Sequence, residues 1–169
     1  MDVFEAVRTI LAIRSYRDEA IPDDVVRRIV EAGHLTASSI NLQPWHFVVV
    51  QDRNMLRQLG ETVKTGPYIA QSQLAIAVAV EKESRYGESD ASRAIQDMML
   101  VAWEAGVGSN WTGFAGMDGV AELLEIPSEF DVLAVIPFGY PDKPVGRGKK
   151  KRKPLGDVFS REKYGQPFE

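Results

Sequence analysis

The chain has 169 residues, 44% hydrophobic and 26% charged, with a net charge of −4. That is enough chain for one well-cored domain and too little for two, and a composition near the globular average argues against fibrous and disordered classes. Without cysteine there can be no disulfide, thiolate metal site or cysteine nucleophile, and with only His34 and His46 a histidine-rich metal centre is not expected.

The first residues, MDVFEAVRTILAIRS, carry acids at Asp2 and Glu5 and no long apolar core, unlike a secretory or transit peptide. The longest apolar run, LAIAVAV at 74–80, is far too short for a transmembrane helix, so a cytoplasmic protein without membrane contact is expected. Val3, Phe4, Val7, Ile10 and Leu11 share one face at helical spacing and predict an amphipathic helix over 2–11. After the connector Ala12 to Arg17, Pro22 suits a first helical turn, with Asp23 and Asp24 complementing the helix dipole and Val25, Val26, Ile29 and Val30 forming the buried stripe. This second helix runs to about Leu35.

Phe47 to Val50 reads as a buried strand, and Asp52 can cap a third helix through about Leu59. Leu74 to Val80 is a second buried strand. Ser89 or Asp90 is placed to cap a long helix bearing Ile95, Met98, Met99, Val101 and Ala102, which Gly106 ends. Its apolar content exceeds the needs of one core face, which predicts contact with a second subunit. A glycine-rich segment, 106–116, precedes a short helix near Val120 to Leu124 and a third strand, Val132 to Phe138. The whole chain, 1–169, reads as one domain of an α+β fold, an α/β sandwich, with 141–169 an extended basic tail.

Three stretches can carry chemistry. Arg14-Ser15-Tyr16-Arg17 puts two guanidinium groups and a hydroxyl on a connector, which suits an anion; the same arginines could instead pair with Asp18 and Glu19. Ser38 to Trp45 holds two serines, Asn41 and Gln43 before a strand. It could be an ordinary polar loop, or a set of donors and acceptors for the edge of a planar heterocycle. The tail concentrates Arg147 and Lys149, Lys150, Lys151, Arg152 and Lys153 in an otherwise acidic chain, without the interleaved aromatics of a nucleic-acid surface. Nucleic acid is not an expected partner. His34 and His46 read as locally bonded side chains, not proton donors.

Taken together, IRSYR at 13–17, ASSINLQPWHF at 37–47, GVGSNWTGF at 106–114, PFGYP at 137–141 and RKPL at 152–155 resemble the FMN-dependent nitroreductase family, in order and over nearly the whole chain. The resemblance implies a nitroreductase-like fold, a central mixed β-sheet flanked by helices, and a homodimer with FMN at the subunit interface. It also implies that Arg14, Ser15, Lys150 and Arg152 hold the phosphate end and that Ser38, Ser39 and Asn41 reach the flavin from the other subunit. Gly108 would lie in the segment beside flavin N5. Arg17 would lie near N1/O2, where a fixed cation stabilises developing negative charge. NAD(P)H would be the reductant, and a nitroaromatic, quinone or similar planar molecule the acceptor, in a ping-pong cycle. Such hydride transfer asks for stacking and orientation more than for a side-chain acid or base. Two alternatives stay open: a non-catalytic FMN-binding module, and a specialised relative such as a dehalogenase or a flavin-modifying enzyme. The short span between Trp111 and Val132 leaves no room for a large lid.

Overall fold

The computed structural model describes residues 1–113, 115–145 and 150–168. Phe114, the 146–149 stretch with Arg147 and Lys149 of the basic run, and Glu169 lie outside the described residues.

The chain folds as α1 (Val3–Thr9), α2 (Asp23–Leu35), β1 (Trp45–Val50), α3 (Arg53–Thr62), β2 (Leu74–Glu81), α4 (Gly87–Glu104), β3 (Gly108–Ser109), α5 (Met117–Leu123) and β4 (Phe130–Gly139), with three short 3₁₀ turns at 39–41, 67–71 and 155–157. The four strands form one sheet in the order β1-β2-β4-β3. A mixed sheet was the expectation, yet every ladder between these strands is antiparallel; the parallel pairing among the described residues is a single bridge, Ala12 to Ser109.

β2 explains the layering. It is buried from Leu74 through Val80, and its side chains alternate between two cores. Leu74, Ile76, Val78 and Val80 meet Ile29 of α2, Ile95 and Met98 of α4, and Ile136 and Phe138 of β4. Ala75 and Ala77 face the other way, toward Leu56, Leu59, Val63, Ile69, Val120 and Val135. The apolar run at 74–80 is therefore a two-faced central strand, large on one side and small on the other. Each fully buried aliphatic side chain in these cores contributes about 1.5–3 kcal/mol.

The element ends are set by local chemistry. The Asp52 carboxylate accepts from Met55 N–H at 2.9 Å, capping α3 as expected. Gly106, at φ 78°, turns the chain out of α4 in the left-handed region that glycine enters without a steric penalty.

Four local expectations differ from the structure. α4 starts at Gly87 without a side-chain cap; Ser89 Oγ donates back to Tyr86 O, and Asp90 is turned toward another loop. β1 is not fully buried, because it is the edge strand, and Val49 is 41% exposed. Gly108–Ser109, read as part of a glycine-rich segment, is a two-residue strand completing the sheet. The apolar stripe of α1 is real but finds no cover among the described residues: Val3 is 76% and Phe4 75% exposed. α1 is nonetheless tied to α4 through side chains, since Trp103 Nε1–H donates to Thr9 Oγ1 at 3.0 Å.

No helix among the described residues is long and apolar enough to cross a membrane. α5 occupies the span between Trp111 and β4 and buries Val120 in the second core. The tail from 151 to 168 is exposed throughout, including Leu155, Val158, Phe159, Tyr164 and Phe168.

Candidate functional site

The connector between α1 and α2 is stitched to the sheet like an extra strand. Ile13 N–H donates to Ser109 O at 2.9 Å, Arg17 N–H to Tyr140 O at 2.9 Å, and Asp142 N–H to Ser15 O at 3.1 Å. Between these bonds Tyr16 is buried, its hydroxyl donating to Ile13 O at 2.7 Å. Burial pushes that phenol well above its ordinary value, so it stays protonated and serves as an anchor. The anchored backbone presents Arg14, Ser15 and Arg17 on the outside. Arg14 is exposed and has no ion-pair or hydrogen-bond partner among the described residues. Ser15 Oγ donates to Asp142 at 3.3 Å. Arg17 pairs with Glu19 at 3.1 Å and lies over the Tyr140 ring at 5.4 Å. For Arg17, the surface pairing weighed from the sequence is thus present, although an exposed pair of this kind holds only weakly.

A cavity of about 490 Å³ opens where α1, the connector, α4 and the tail meet. Leu11, Met99, Leu100 and Trp111 give it apolar walls; Asn110, Lys150 and Arg152 give it polar ones. Asn110 is 4% exposed, and its amide nitrogen donates to Tyr68 Oη and to Trp111 O. Both Nδ2 protons are spent there, which leaves the side-chain carbonyl oxygen as an acceptor.

Lys150 Nζ donates to Val7 O at 2.6 Å. Burial first, and the neighbouring Arg152 guanidinium second, hold this ammonium below the usual lysine value. Neither cation has a carboxylate within ion-pair distance among the described residues. Two adjacent uncompensated cations in a partly desolvated wall are poised for an anion, which would relieve their repulsion.

The serine loop lies elsewhere. Ser39 N–H donates to Asp90 Oδ2 at 2.9 Å and the Ser39 hydroxyl to Asp90 Oδ1 at 3.1 Å, while Ser38 Oγ accepts from Gln43 N–H at 2.9 Å. Ile40, Asn41 and Gln43 all have φ between 47° and 59°. Asparagine tolerates that region, but a β-branched isoleucine does not, and each such residue costs about 1–2 kcal/mol. Ile40 is 84% exposed, so the strain projects an apolar side chain outward.

Asp90 to Met99 is nine residues of α4, or roughly 13 Å of helix rise, so the serine loop and the cation cavity flank different turns. Toward the end of α4, Trp103 and Gly106 line a second cavity of about 740 Å³ with Arg17, Pro141 and Lys143. The expected residues therefore fall into groups: Lys150 and Arg152 at the first cavity, Arg17 at the second, and Ser38, Ser39 and Asn41 on the loop. Arg14 and Ser15 line neither cavity. Gly108 is explained by packing, since a Cβ there would overlap the Ile13 side chain. Asn110 and Asp90 were missed from the sequence. The available signal for Asp90 was an aspartate beside the buried positions Gly87, Ala91, Ala94 and Met98 of its own helix.

The chain matches the family model described as "Nitroreductase family" over residues 8–77 and 63–140. It is 34% identical to a candidate NADH dehydrogenase/NAD(P)H nitroreductase of Methanothermobacter thermautotrophicus, over 83% of this chain and 78% of that one. Among solved structures, it resembles a candidate NADH dehydrogenase/NAD(P)H nitroreductase from Bacteroides thetaiotaomicron with a TM-score of 0.87 at 26% identity, covering 95% of this chain and 97% of the other. It also resembles an FMN-dependent nitroreductase from Clostridium difficile, with a TM-score of 0.80 at 27% identity, covering 92% and 94%.

Proposed function

The chain belongs to the nitroreductase family, and from that premise we propose that it is an FMN-dependent oxidoreductase that takes reducing equivalents from NAD(P)H and passes them to a planar acceptor such as a nitroaromatic or a quinone. The observation that carries the reading is the pair of cations, Lys150 and Arg152, without a carboxylate partner among the described residues, on the wall of an open cavity lined by Trp111 and Met99. A phosphate end satisfies the cations, and a flat ring system suits the apolar walls. The residues present fit FMN.

Bound FMN supplies hydride acceptance from a nicotinamide and electron delivery to a second substrate, which suits a ping-pong order. Lys150 and Arg152 would hold the phosphate, and Arg14, exposed on the connector outside the cavity and without a partner among the described residues, would add a third cation by turning toward it. Arg17, which lines the second cavity, would supply positive charge to the ring's electron-rich edge where the cofactor extends toward that cavity, at the cost of exchanging its exposed pairing with Glu19. Trp111, Leu100 and Met99 would exclude water from one side of a bound ring, and Asn110 would offer an acceptor there.

Ser38, Ser39 and Asn41 line neither cavity of the single chain. A second copy brings them to it, and the unsheltered faces of α1 and the tail provide apolar surface for that contact. The functional unit in this reading is a homodimer with the cofactor shared across its interface.

Titrating the cofactor-free protein with FMN and with riboflavin tests the phosphate assignment. FMN should bind at least about tenfold more tightly, and Lys150→Ala should erase most of the difference. Equal affinity for the two flavins would remove Lys150 and Arg152 from the site.

A further inference from the structure

The second cavity, of about 740 Å³, is the larger of the two and lies across α1 from the first. It rests against Met1, Glu5 and Thr9, spaced four apart along one side of the α1 segment, whereas the first cavity rests against Val7, which helical spacing puts on the opposite side. Its aromatic wall is held in place. The Trp103 indole N–H donates to Thr9 Oγ1 at 3.0 Å, and Thr9 is itself buried, its hydroxyl donating to Glu5 O at 2.6 Å. Pro141, Pro144 and Val145 add apolar surface. A fixed indole with proline and valine around it suits a flat ring.

Four charged side chains line the same cavity, and they differ in what already answers them. Both Glu5 oxygens accept from the Arg8 guanidinium at 2.8 Å, and Asp142 Oδ2 accepts from the Ser15 hydroxyl at 3.3 Å. Arg17 has its exposed pairing with Glu19. Lys143 is exposed and has neither an ion pair nor a side-chain hydrogen bond among the described residues. The charge left unanswered is positive, at the rim of an aromatic-walled cavity. An aromatic base that carries a phosphate satisfies both features.

We propose that this cavity seats the adenosine end of the nicotinamide dinucleotide, with Lys143 as the residue that recognises a phosphate on the adenosine 2′-oxygen, so that the reductant is NADPH in preference to NADH. The proposal rests on the oxidoreductase reading above and names which of the two nicotinamides serves it. Arg17, the cation given to the flavin's electron-rich edge, also lines this cavity, so a dinucleotide seated here approaches the flavin from that side. The two reductants differ only in the 2′-phosphate, and a cation without a competing partner favours the form that carries it.

The test is calorimetric titration of the full chain, free of FMN, with 2′,5′-ADP, 5′-AMP and inorganic phosphate. Wild type should bind 2′,5′-ADP at least about tenfold more tightly than 5′-AMP, and inorganic phosphate should compete poorly. Lys143→Ala should bring the ratio near one with 5′-AMP affinity unchanged, and Lys143→Arg should keep the preference, a pattern that a structural role would not produce. In the FMN-loaded protein kcat/KM should favour NADPH over NADH to a similar degree. Equal binding of the two nucleotides, a preference that survives Lys143→Ala, or displacement by inorganic phosphate alone would overturn the proposal and leave the FMN reading intact. A 2′,5′-ADP preference in a protein whose flavin neither nicotinamide reduces would overturn the oxidoreductase reading and leave the nucleotide site standing.

Discussion

The serine loop and the cationic cavity flank the same helix, yet they are finished to different degrees. In the loop the buried carboxylate is already answered: Asp90 has its three donors, Ser38 Oγ accepts from Gln43 N–H, and the backbone at Ile40, Asn41 and Gln43 is held at positive φ. At the cavity the charges are unanswered: among the described residues neither Lys150 nor Arg152 has a carboxylate within ion-pair distance. A site that reads hydrogen-bond polarity needs geometry fixed beforehand, whereas a phosphate site needs only charge kept unspent until the anion arrives.

The sharpest way to break this comparison is to remove the unspent charge. Lys150→Ala combined with Arg152→Ala should weaken FMN binding by at least about 100-fold, because each charge-assisted bond is worth about 1.5–3 kcal/mol. A fluorescence titration of the double variant reads this directly, and an affinity within about threefold of wild type would place the phosphate elsewhere.

Next in size is the covering of α1. Phe4 is 75% exposed in the single chain, so Phe4→Glu should leave an isolated monomer unharmed; at an interface it forfeits about 1.5–3 kcal/mol of burial per side and adds a buried charge. Light scattering should show a dimer for wild type and dissociation for the variant. A wild-type monomer that retains FMN would undo the shared-site arrangement.

Gly108 separates packing from ligand contact. Gly108→Ala forces a Cβ into Ile13, so it should cost about 1–3 kcal/mol in the stability of the cofactor-free protein. An unchanged melt with lost FMN binding would return this glycine to the cofactor.

The smallest effect expected is at acid pH. Burial raises the Asp90 pKa, but its Ser39 and Arg93 donors together outweigh that and hold it below the ordinary value near 3.8. A depressed carboxylate stabilises the fold above its unfolded pKa and loses that contribution as the pH falls through the folded one, so the loss lies below about pH 3.8. Acid unfolding of wild type should show this component, and Asp90→Asn should lack it.

How far these features could be read from sequence varies with how local their causes are. β2, α3 and the turn at Gly106 were legible because a short apolar run, an aspartate cap and a glycine stop each act within a few residues. The apolar stripe of α1 was equally legible as a pattern, but no pattern says what covers it. Asp90 was misread because an aspartate near a helix start has one signature whether it caps its own helix or reaches across to another loop. The serines stood out by composition; their commitment to Asp90 depends on a contact across 51 positions of chain. The basic tail drew attention through its charge, and only the fold shows Lys150 reaching α1.

The central claim is best tested by recording the visible absorption of the FMN-reconstituted protein during anaerobic addition of NADH or NADPH, then of a nitroaromatic or quinone. The account predicts flavin bands that bleach with the nicotinamide and return with the acceptor. Bound flavin that neither nicotinamide bleaches would contradict the oxidoreductase reading and leave a protein that only binds FMN.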